Sequence, residues 1–167
     1  MNELKLYNQT IYDLEDLTQL PNIKLLNYME RLITIGKFTQ PEITLSLIYL
    51  KRVSNNFKLT QNNINIMFSL SLLIASKYQE DESFNIIHLS KLFGISFDEI
   101  KRLERNYLKF INWKLFVKKE EFDNLVLKLK GIYDNLNFND KSKKMKFILM
   151  IEREIQKLLI PTFRCCF

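Results

Sequence analysis

The sequence contains few residues that interrupt regular backbone structure. Its 167 residues include only three glycines and three prolines. The glycines, Gly36, Gly94 and Gly131, lie far apart, so a glycine-rich loop that binds phosphate is excluded. Few backbone breakers, together with frequent leucine, isoleucine and lysine, favour a helical protein.

Residues that bind metals or perform catalysis are also scarce. The single histidine, His88, has no cysteine or aspartate cluster nearby, so it cannot build a metal site or a catalytic triad. The two cysteines, Cys165 and Cys166, are adjacent, an arrangement whose geometry disfavours a disulfide between them. We therefore expect that the protein is not an enzyme and uses no cofactor or metal.

Long apolar runs and a secretory leader are missing as well. The longest apolar run, residues 64–75, is interrupted by polar residues and is shorter than the roughly 20 residues that span a membrane. The first residues lack the pattern of a signal peptide. We expect an intracellular protein, in the nucleus or cytoplasm, without membrane contact.

The net charge of +6 is too dilute to indicate nucleic-acid binding by itself. The simplest interpretation of its densest cluster is the solvated face of a helix. That cluster consists of Lys141, Lys143, Lys144 and Lys146.

Apolar periodicity and capping signals predict seven helices. Thr39 with Glu42, and Ser96 with Glu99, have the spacing of capping boxes at two helix starts. The third helix is apolar nearly all round between Ile64 and Ala75, which indicates that other helices enclose it. The sequence therefore predicts an all-α bundle. The predicted helices cover about residues 22–35, 39–55, 60–79, 85–93, 96–112, 120–133 and 141–159.

Three strings, Tyr49–Arg52, Leu73–Asp81 and Gly94–Glu104, follow one another along the predicted helices. Together they resemble the cyclin box. The turn at residues 81–85 and the Gly-Ile-Ser at 94–96 are most similar to P/U-type cyclins, and so is Tyr28–Leu32. The resemblance covers about residues 22–117 and implies a five-helix bundle around a buried central third helix. We divide the chain into an N-terminal segment, 1–21, a cyclin box, 22–117, and a C-terminal helical extension, 118–167.

In the cyclin family, a lysine ending the third helix and a glutamate in the fifth contact a kinase beside its C-helix. The resemblance gives these roles to Lys77 and Glu104, beside an apolar pocket for a kinase isoleucine. The charges could instead pair locally, Lys77 with Asp81 and Glu104 with Lys101, and the pocket walls could simply be core. The implied walls are Ile74, Tyr78, Leu108 and Leu115.

Some features of the family are missing. Lys51 stands where many cyclins have an aspartate, and Asn22 stands at the position of its usual arginine partner. Another packing arrangement must therefore fix the first helix. The substrate-docking patch of mitotic cyclins is absent, so we expect no recruitment through it. The residues after Val117 suffice for two helices but not for a second cyclin box.

The resemblance implies a regulatory subunit that binds and activates a cyclin-dependent serine/threonine protein kinase. A second hypothesis, favoured slightly by the basic residues of 118–167, is a cyclin-fold adaptor that binds nucleic acid or transcription proteins without a kinase. A third is a structural protein in which the surface around Lys77 and Glu104 stays bare. Salt-dependent binding to duplex DNA would distinguish the second from the first.

Overall fold

A computed structural model describes residues 23–79, 85–133 and 141–159. Several expectations concern residues outside these ranges and stay predictions. They involve the segment 1–21, Asn22, Asp81, Cys165 and Cys166, together with the side chains of Lys141 and Lys143.

The described ranges consist of seven α-helices joined by short connections, with no strand among them. This confirms the predicted all-α bundle. The helices are α1 (Leu25–Gly36), α2 (Gln40–Ser54), α3 (Ile64–Gln79), α4 (Ile86–Phe93), α5 (Phe97–Phe110), α6 (Lys119–Tyr133) and α7 (Lys141–Leu159).

Helix α3 forms the centre of the bundle. Every residue from Ile64 to Ser76 is buried, because α1, α2, α4 and α5 all pack against this helix. An all-round apolar helix needs such enclosure, since any side left in water would expose apolar surface. The predicted five-helix arrangement around a buried third helix is therefore confirmed.

Two serines of α3 bond to tyrosines of the surrounding helices. The hydroxyl of Tyr28 in α1 lies 2.6 Å from Ser69 Oγ, and that of Tyr107 in α5 lies 2.5 Å from Ser71 Oγ. Burial raises the pKa of Tyr28 to about 12 and that of Tyr107 beyond the usual tyrosine range. The small serines thus allow close packing and also satisfy buried hydroxyls that would otherwise cost free energy.

Hydrogen bonds from two side chains of helix α1 hold it against α4. Tyr28 also donates to the carbonyl of Phe93, over 3.1 Å, and Arg31 donates to the carbonyl of Lys91, over 3.0 Å. Both bonds tie α1 to α4. Lys51, at the usual aspartate position, is exposed and takes no part in holding α1.

The last helix packs on the bundle. Helix α7 contacts α1, α2 and α6. Burying an aliphatic or aromatic side chain contributes about 1.5–3 kcal/mol before the entropic cost of ordering it. The helix therefore provides a second anchor for α1. Its fully buried side chains are Phe147, Ile148, Ile151 and Ile155.

The boundaries of α1 and α3 differ from those predicted. Helix α3 begins at Ile64, later than the predicted Thr60, because the Asn63 side chain bonds to the backbone N–H of Thr60 (2.8 Å) and the carbonyl of Lys58 (3.1 Å). These bonds stabilise a turn in place of a first helical turn. Helix α1 includes Gly36 as its last residue and is followed by Lys37, which has a left-handed φ of 54°.

Gly36 serves close packing rather than helix termination. A Cβ at this position would lie 2.7 Å from Phe38 Cδ2 and 3.0 Å from Leu92 Cδ2. Both neighbours are buried core side chains, so they have little room to move away.

Candidate protein-binding site

Lys77 and Glu104 meet on the surface between α3 and α5. Lys77 Nζ lies 2.7 Å from one carboxylate oxygen of Glu104 and 2.8 Å from the other. Their side chains are 38% and 17% exposed. Pairs this accessible contribute only about 0.2–1 kcal/mol. The bond therefore orients the two charges more than it stabilises the fold.

The local pairing considered for Glu104 is not observed. Lys101 instead lies over the ring of Phe97, with its Nζ 4.0 Å from the ring centroid. The local alternative for Lys77 involves Asp81, which lies outside the described residues. Of the two interpretations, the structure brings together the residues that the family resemblance singled out.

A buried carboxylate fixes the end of α3 just before Lys77. Glu42 is 1% exposed and accepts hydrogen bonds from Ser76 Oγ and, over 2.5 Å, from the backbone N–H of Thr39. The capping box predicted at Thr39 and Glu42 is thereby confirmed. It also links the start of α2 to the last turn of α3, so the orientation of Lys77 depends on a contact inside the protein.

Ser96 caps the start of α5, where its Oγ accepts from the backbone N–H of Glu99 over 3.3 Å, which is one half of the predicted capping box. The Glu99 carboxylate pairs with Arg102 at 2.6 Å. The side of α5 that carries Leu103 is buried, whereas Glu104 is half-buried. The helix thus presents Glu104 at the edge of the core, where a charge remains accessible.

The chain turns sharply where α5 ends. The sequence predicted a helix to Asn112, but α5 ends at Phe110, and Asn112 and Trp113 have left-handed φ angles of 52° and 57°. Two such residues in succession are costly for L-amino acids. The turn places the backbone N–H of Trp113 2.9 Å from the carbonyl of Leu108.

Trp113 is a candidate residue that the sequence analysis missed. Its side chain is 62% exposed, an unusual position for the largest amphipathic side chain. A tryptophan directly after a helix could have drawn attention to it. Its exposure, however, follows from the left-handed turn, which the helical periodicity did not predict.

The segment after this turn is held by α2. Tyr49 donates to the carbonyl of Leu115 over 3.0 Å, and Arg52 donates to the carbonyl of Lys114 over 2.5 Å. Burial raises the pKa of Tyr49, and the nearby phenol of Tyr78 raises it further. Tyr49 therefore connects α2 with the segment that follows α5.

The four predicted pocket walls occupy different environments. Ile74 is only 3% exposed and belongs to the core, whereas Tyr78 is 47% exposed. Leu108 and Leu115 are half-buried at the edge of the core. The assignment of these residues to a kinase-binding pocket stays a prediction. We define the α3–α5 surface by Lys77, Tyr78, Glu104 and Leu108.

Side chains suited to other chemistry are sparse around this surface. Within residues 23–79, 85–133 and 141–159, no group of His, Cys, Asp and Glu side chains could hold a metal ion. None of the helices in these ranges is long and apolar enough to cross a membrane. The arrangement can contribute charge, hydrogen bonds and aromatic contact, which are the means of protein recognition.

The described part of the chain is an all-α bundle with an oriented ion pair on its surface. The sequence matches the family described as Cyclin, N-terminal domain, over residues 3–116. This match covers more than half of the chain, and the chain belongs to the cyclin family.

Relatives from plants and yeast agree with this assignment. The chain is 24% identical to Cyclin-U2-1 of Arabidopsis thaliana over 111 residues, covering 65% of this chain and 50% of the relative. It is 26% identical to Cyclin-P3-1 of Oryza sativa subsp. japonica over 140 residues, covering 83% and 54%. It is also 26% identical to PHO85 cyclin-7 of Saccharomyces cerevisiae over 115 residues, covering 60% and 40%.

These relatives confirm the resemblance to P- and U-type cyclins. The chain spans about half the length of the curated relatives it matches. No solved structure matches it significantly.

Proposed function

We propose that this protein is the regulatory subunit of a cyclin-dependent serine/threonine protein kinase and contacts the kinase beside its C-helix. Membership of the cyclin family supports a regulatory, non-catalytic role. The observation that carries the proposal is the ion pair between Lys77 and Glu104, which is oriented yet accessible. An intracellular location, in the nucleus or cytoplasm, is part of the same proposal.

The ion pair can bind polar groups of a partner without first being ordered. A lysine ammonium has three donors and a carboxylate has several acceptor positions, so each retains capacity beyond the internal bond. A partner that presents a carbonyl to Lys77 and an N–H to Glu104 would form an additional hydrogen bond with each side chain. Because the pair is preformed, less side-chain entropy is lost on binding.

Two exposed aromatic side chains lie at the ends of these helices, Tyr78 directly after Lys77 and Trp113 in the turn after α5. Tyr78 is 47% exposed and Trp113 is 62% exposed. Tyrosine and tryptophan are enriched among the residues that dominate binding energy at protein interfaces. We infer that these rings provide the apolar anchor of the kinase interface and that the half-buried Leu108 and Leu115 support them.

The proposed activation is allosteric. The protein would bind the kinase more tightly when the C-helix is turned inward, the state in which the kinase lysine–glutamate pair and metal sites are assembled. Tighter binding to that state shifts the kinase population toward it. All catalytic groups would belong to the kinase.

The test is calorimetric titration against a cyclin-dependent kinase that copurifies with the protein from its native cells. We expect the double variant Lys77→Ala, Glu104→Ala to bind at least about tenfold more weakly. The matched control is Glu99→Ala, Arg102→Ala, which removes another exposed α5 pair from the side of the helix away from Glu104. Unchanged affinity in the first variant would refute the proposed docking mode.

The nucleic-acid adaptor hypothesis leads to a different outcome. It requires salt-dependent binding to duplex DNA that survives the Lys77 and Glu104 substitutions. That hypothesis depends on the lysine cluster at the start of α7. The structure describes the side chains of Lys144 and Lys146 in this cluster, and Lys144 is half-buried. We therefore favour the kinase, and a DNA titration across salt concentrations is the discriminating measurement.

A further inference from the structure

A basic groove lies at the end of α2, and none of its lining residues belongs to the α3–α5 surface. It has a volume of about 440 Å³ and is formed by the end of α2, the loop that follows, and the end of α7. Three lysines line it, Lys51, Lys58 and Lys157, and its lining includes no aspartate or glutamate. We call it the basic groove.

Two of the three lysines form no ion pair in the described part of the chain, although Lys51 also lines a neighbouring groove that contains Glu121 and Glu154. Lys51 and Lys58 are exposed, and neither forms an ion pair with a residue in the described ranges. Lys157 pairs with Glu154 on its own helix and remains exposed at the edge. Several like charges around one concave surface create a field that attracts anionic groups.

The rest of the groove is apolar or hydrogen-bonding. Phe57 and Leu59 are 5% and 4% exposed at its base, while Leu158 and Leu159 are half-buried along the α7 side. A ligand that fits this lining combines carboxylates with aliphatic side chains. An acidic polypeptide segment has both.

The same features argue against nucleic acid as the occupant. Single-stranded nucleic acid is held by exposed aromatic rings on which bases stack, but Phe57, the aromatic residue of this groove, is buried. Duplex DNA requires a basic strip that follows many phosphates. The three lysines of the basic groove surround a single concavity.

We propose that the basic groove binds an acidic peptide segment of a partner protein. Carboxylates of the peptide pair with Lys51 and Lys58, and an aliphatic side chain packs against Leu158 and Leu159. This site adds a second contact for a substrate or regulator. Its lining shares no residue with the α3–α5 surface, so the proposal does not depend on kinase binding.

Fluorescence anisotropy with the full chain and no kinase tests the proposal. The probe is a fluorescein-labelled peptide rich in aspartate and glutamate, with leucine at alternate positions. We expect Lys51→Glu, Lys58→Glu to weaken its binding at least about tenfold, because two attractive contacts become repulsive. The control Lys24→Glu, Lys91→Glu changes the net charge equally at exposed positions outside the basic groove and should weaken binding less than about twofold at physiological salt.

Equal loss in the two variants would show that only net charge matters and would overturn the proposal. Changing the peptide leaves the protein fold untouched. A peptide with serine in place of leucine must bind more weakly, and equal binding would also overturn it. If fluorescein-labelled oligo(dT) bound as tightly and lost binding in the same groove variant, the site would be one for nucleic acid instead.

Discussion

The two lysine-bearing surfaces near the ends of α3 differ in whether their lysines are ion-paired. At the end of α3, Lys77 contacts both carboxylate oxygens of Glu104. Before its start, Lys51 and Lys58 line a groove that has no acidic side chain. The paired site is locally neutral and has a fixed geometry, so it suits a partner that offers a donor and an acceptor in defined positions. The unpaired site suits an acidic segment whose exact conformation matters less.

The difference extends into the interior. The turn before Lys77 is held by Ser76, which bonds to the buried carboxylate of Glu42. Lys58 lies in a loop, where its backbone carbonyl accepts a hydrogen bond from the Asn63 side chain. The side chain of Lys58 is exposed. Contacts with buried residues therefore fix the α3–α5 surface, whereas the basic groove depends mainly on surface charge. Substitutions should therefore affect kinase binding and acidic-peptide binding differently.

The largest effect should come from Glu42→Ala. This change leaves the backbone N–H of Thr39 and the hydroxyl of Ser76 without their acceptor. We expect the free energy of unfolding to fall by about 2–4 kcal/mol in urea denaturation. Kinase binding should weaken while the acidic peptide still binds. The control Glu120→Ala removes an exposed carboxylate, and an equal loss there would contradict the structural role of Glu42.

The next largest effect concerns Tyr28 of α1, whose hydroxyl bonds to Ser69 in the middle of α3. Burial raises the pKa of Tyr28 from 10.0 to about 12 in the folded protein. Between these values the unfolded chain has already lost the phenolic proton that the folded protein retains. The stability from this group is therefore complete below pH 10 and is lost as pH rises toward 12, by on the order of 2 kcal/mol.

Urea denaturation at a series of alkaline pH values provides the measurement. The Tyr28→Phe variant cannot titrate at this position and should lose less stability over the same pH range. Tyr49 and Tyr107, whose pKa values are also raised by burial, will keep some pH dependence in the variant. Parallel curves for the two proteins would show that Tyr28 is not protected from ionisation in the folded state.

A charge swap can distinguish the internal role of the Lys77–Glu104 pair from its proposed external role. The variant Lys77→Glu, Glu104→Lys keeps an ion pair between α3 and α5 but exchanges donor and acceptor. Stability should change by less than about 1 kcal/mol, because the pair is partly exposed. Kinase affinity measured by calorimetry should fall at least about tenfold. Full affinity would mean that the pair only joins the helices.

Much of the fold could be predicted because it is encoded locally. The apolar run from Ile64 onward identified α3 as central, and the capping residues of α2 and α5 marked their starts. Where the predicted helix bounds were wrong, side-chain bonds competed with the helix, as at Asn63, or the backbone turned to a left-handed conformation, as at Asn112 and Trp113. Such effects depend on neighbours that periodicity does not reveal.

The candidate sites divide in the same way. Lys77 and Glu104 could be identified because family resemblance supplied their register, and the structure then placed them in contact. Trp113 was missed because its exposure depends on a left-handed turn. The basic groove was missed because α7 brings Lys157 next to Lys51 and Lys58 from a distant part of the chain. Sequence patterns do not indicate which surfaces meet over such separations.

The smallest expected effect on stability comes from restoring the aspartate that many cyclins have at position 51. In this protein the position is exposed, and α1 is held by Tyr28 and Arg31. Lys51→Asp should therefore change the free energy of unfolding by less than about 0.5 kcal/mol. Acidic-peptide binding should still weaken, with a smaller dependence on salt, because one cation of the basic groove is replaced by an anion. If urea denaturation showed clear stabilisation instead, a basic side chain on α1 would be able to pair with an aspartate at position 51. That side chain would then have no acidic partner while Lys51 occupies the position.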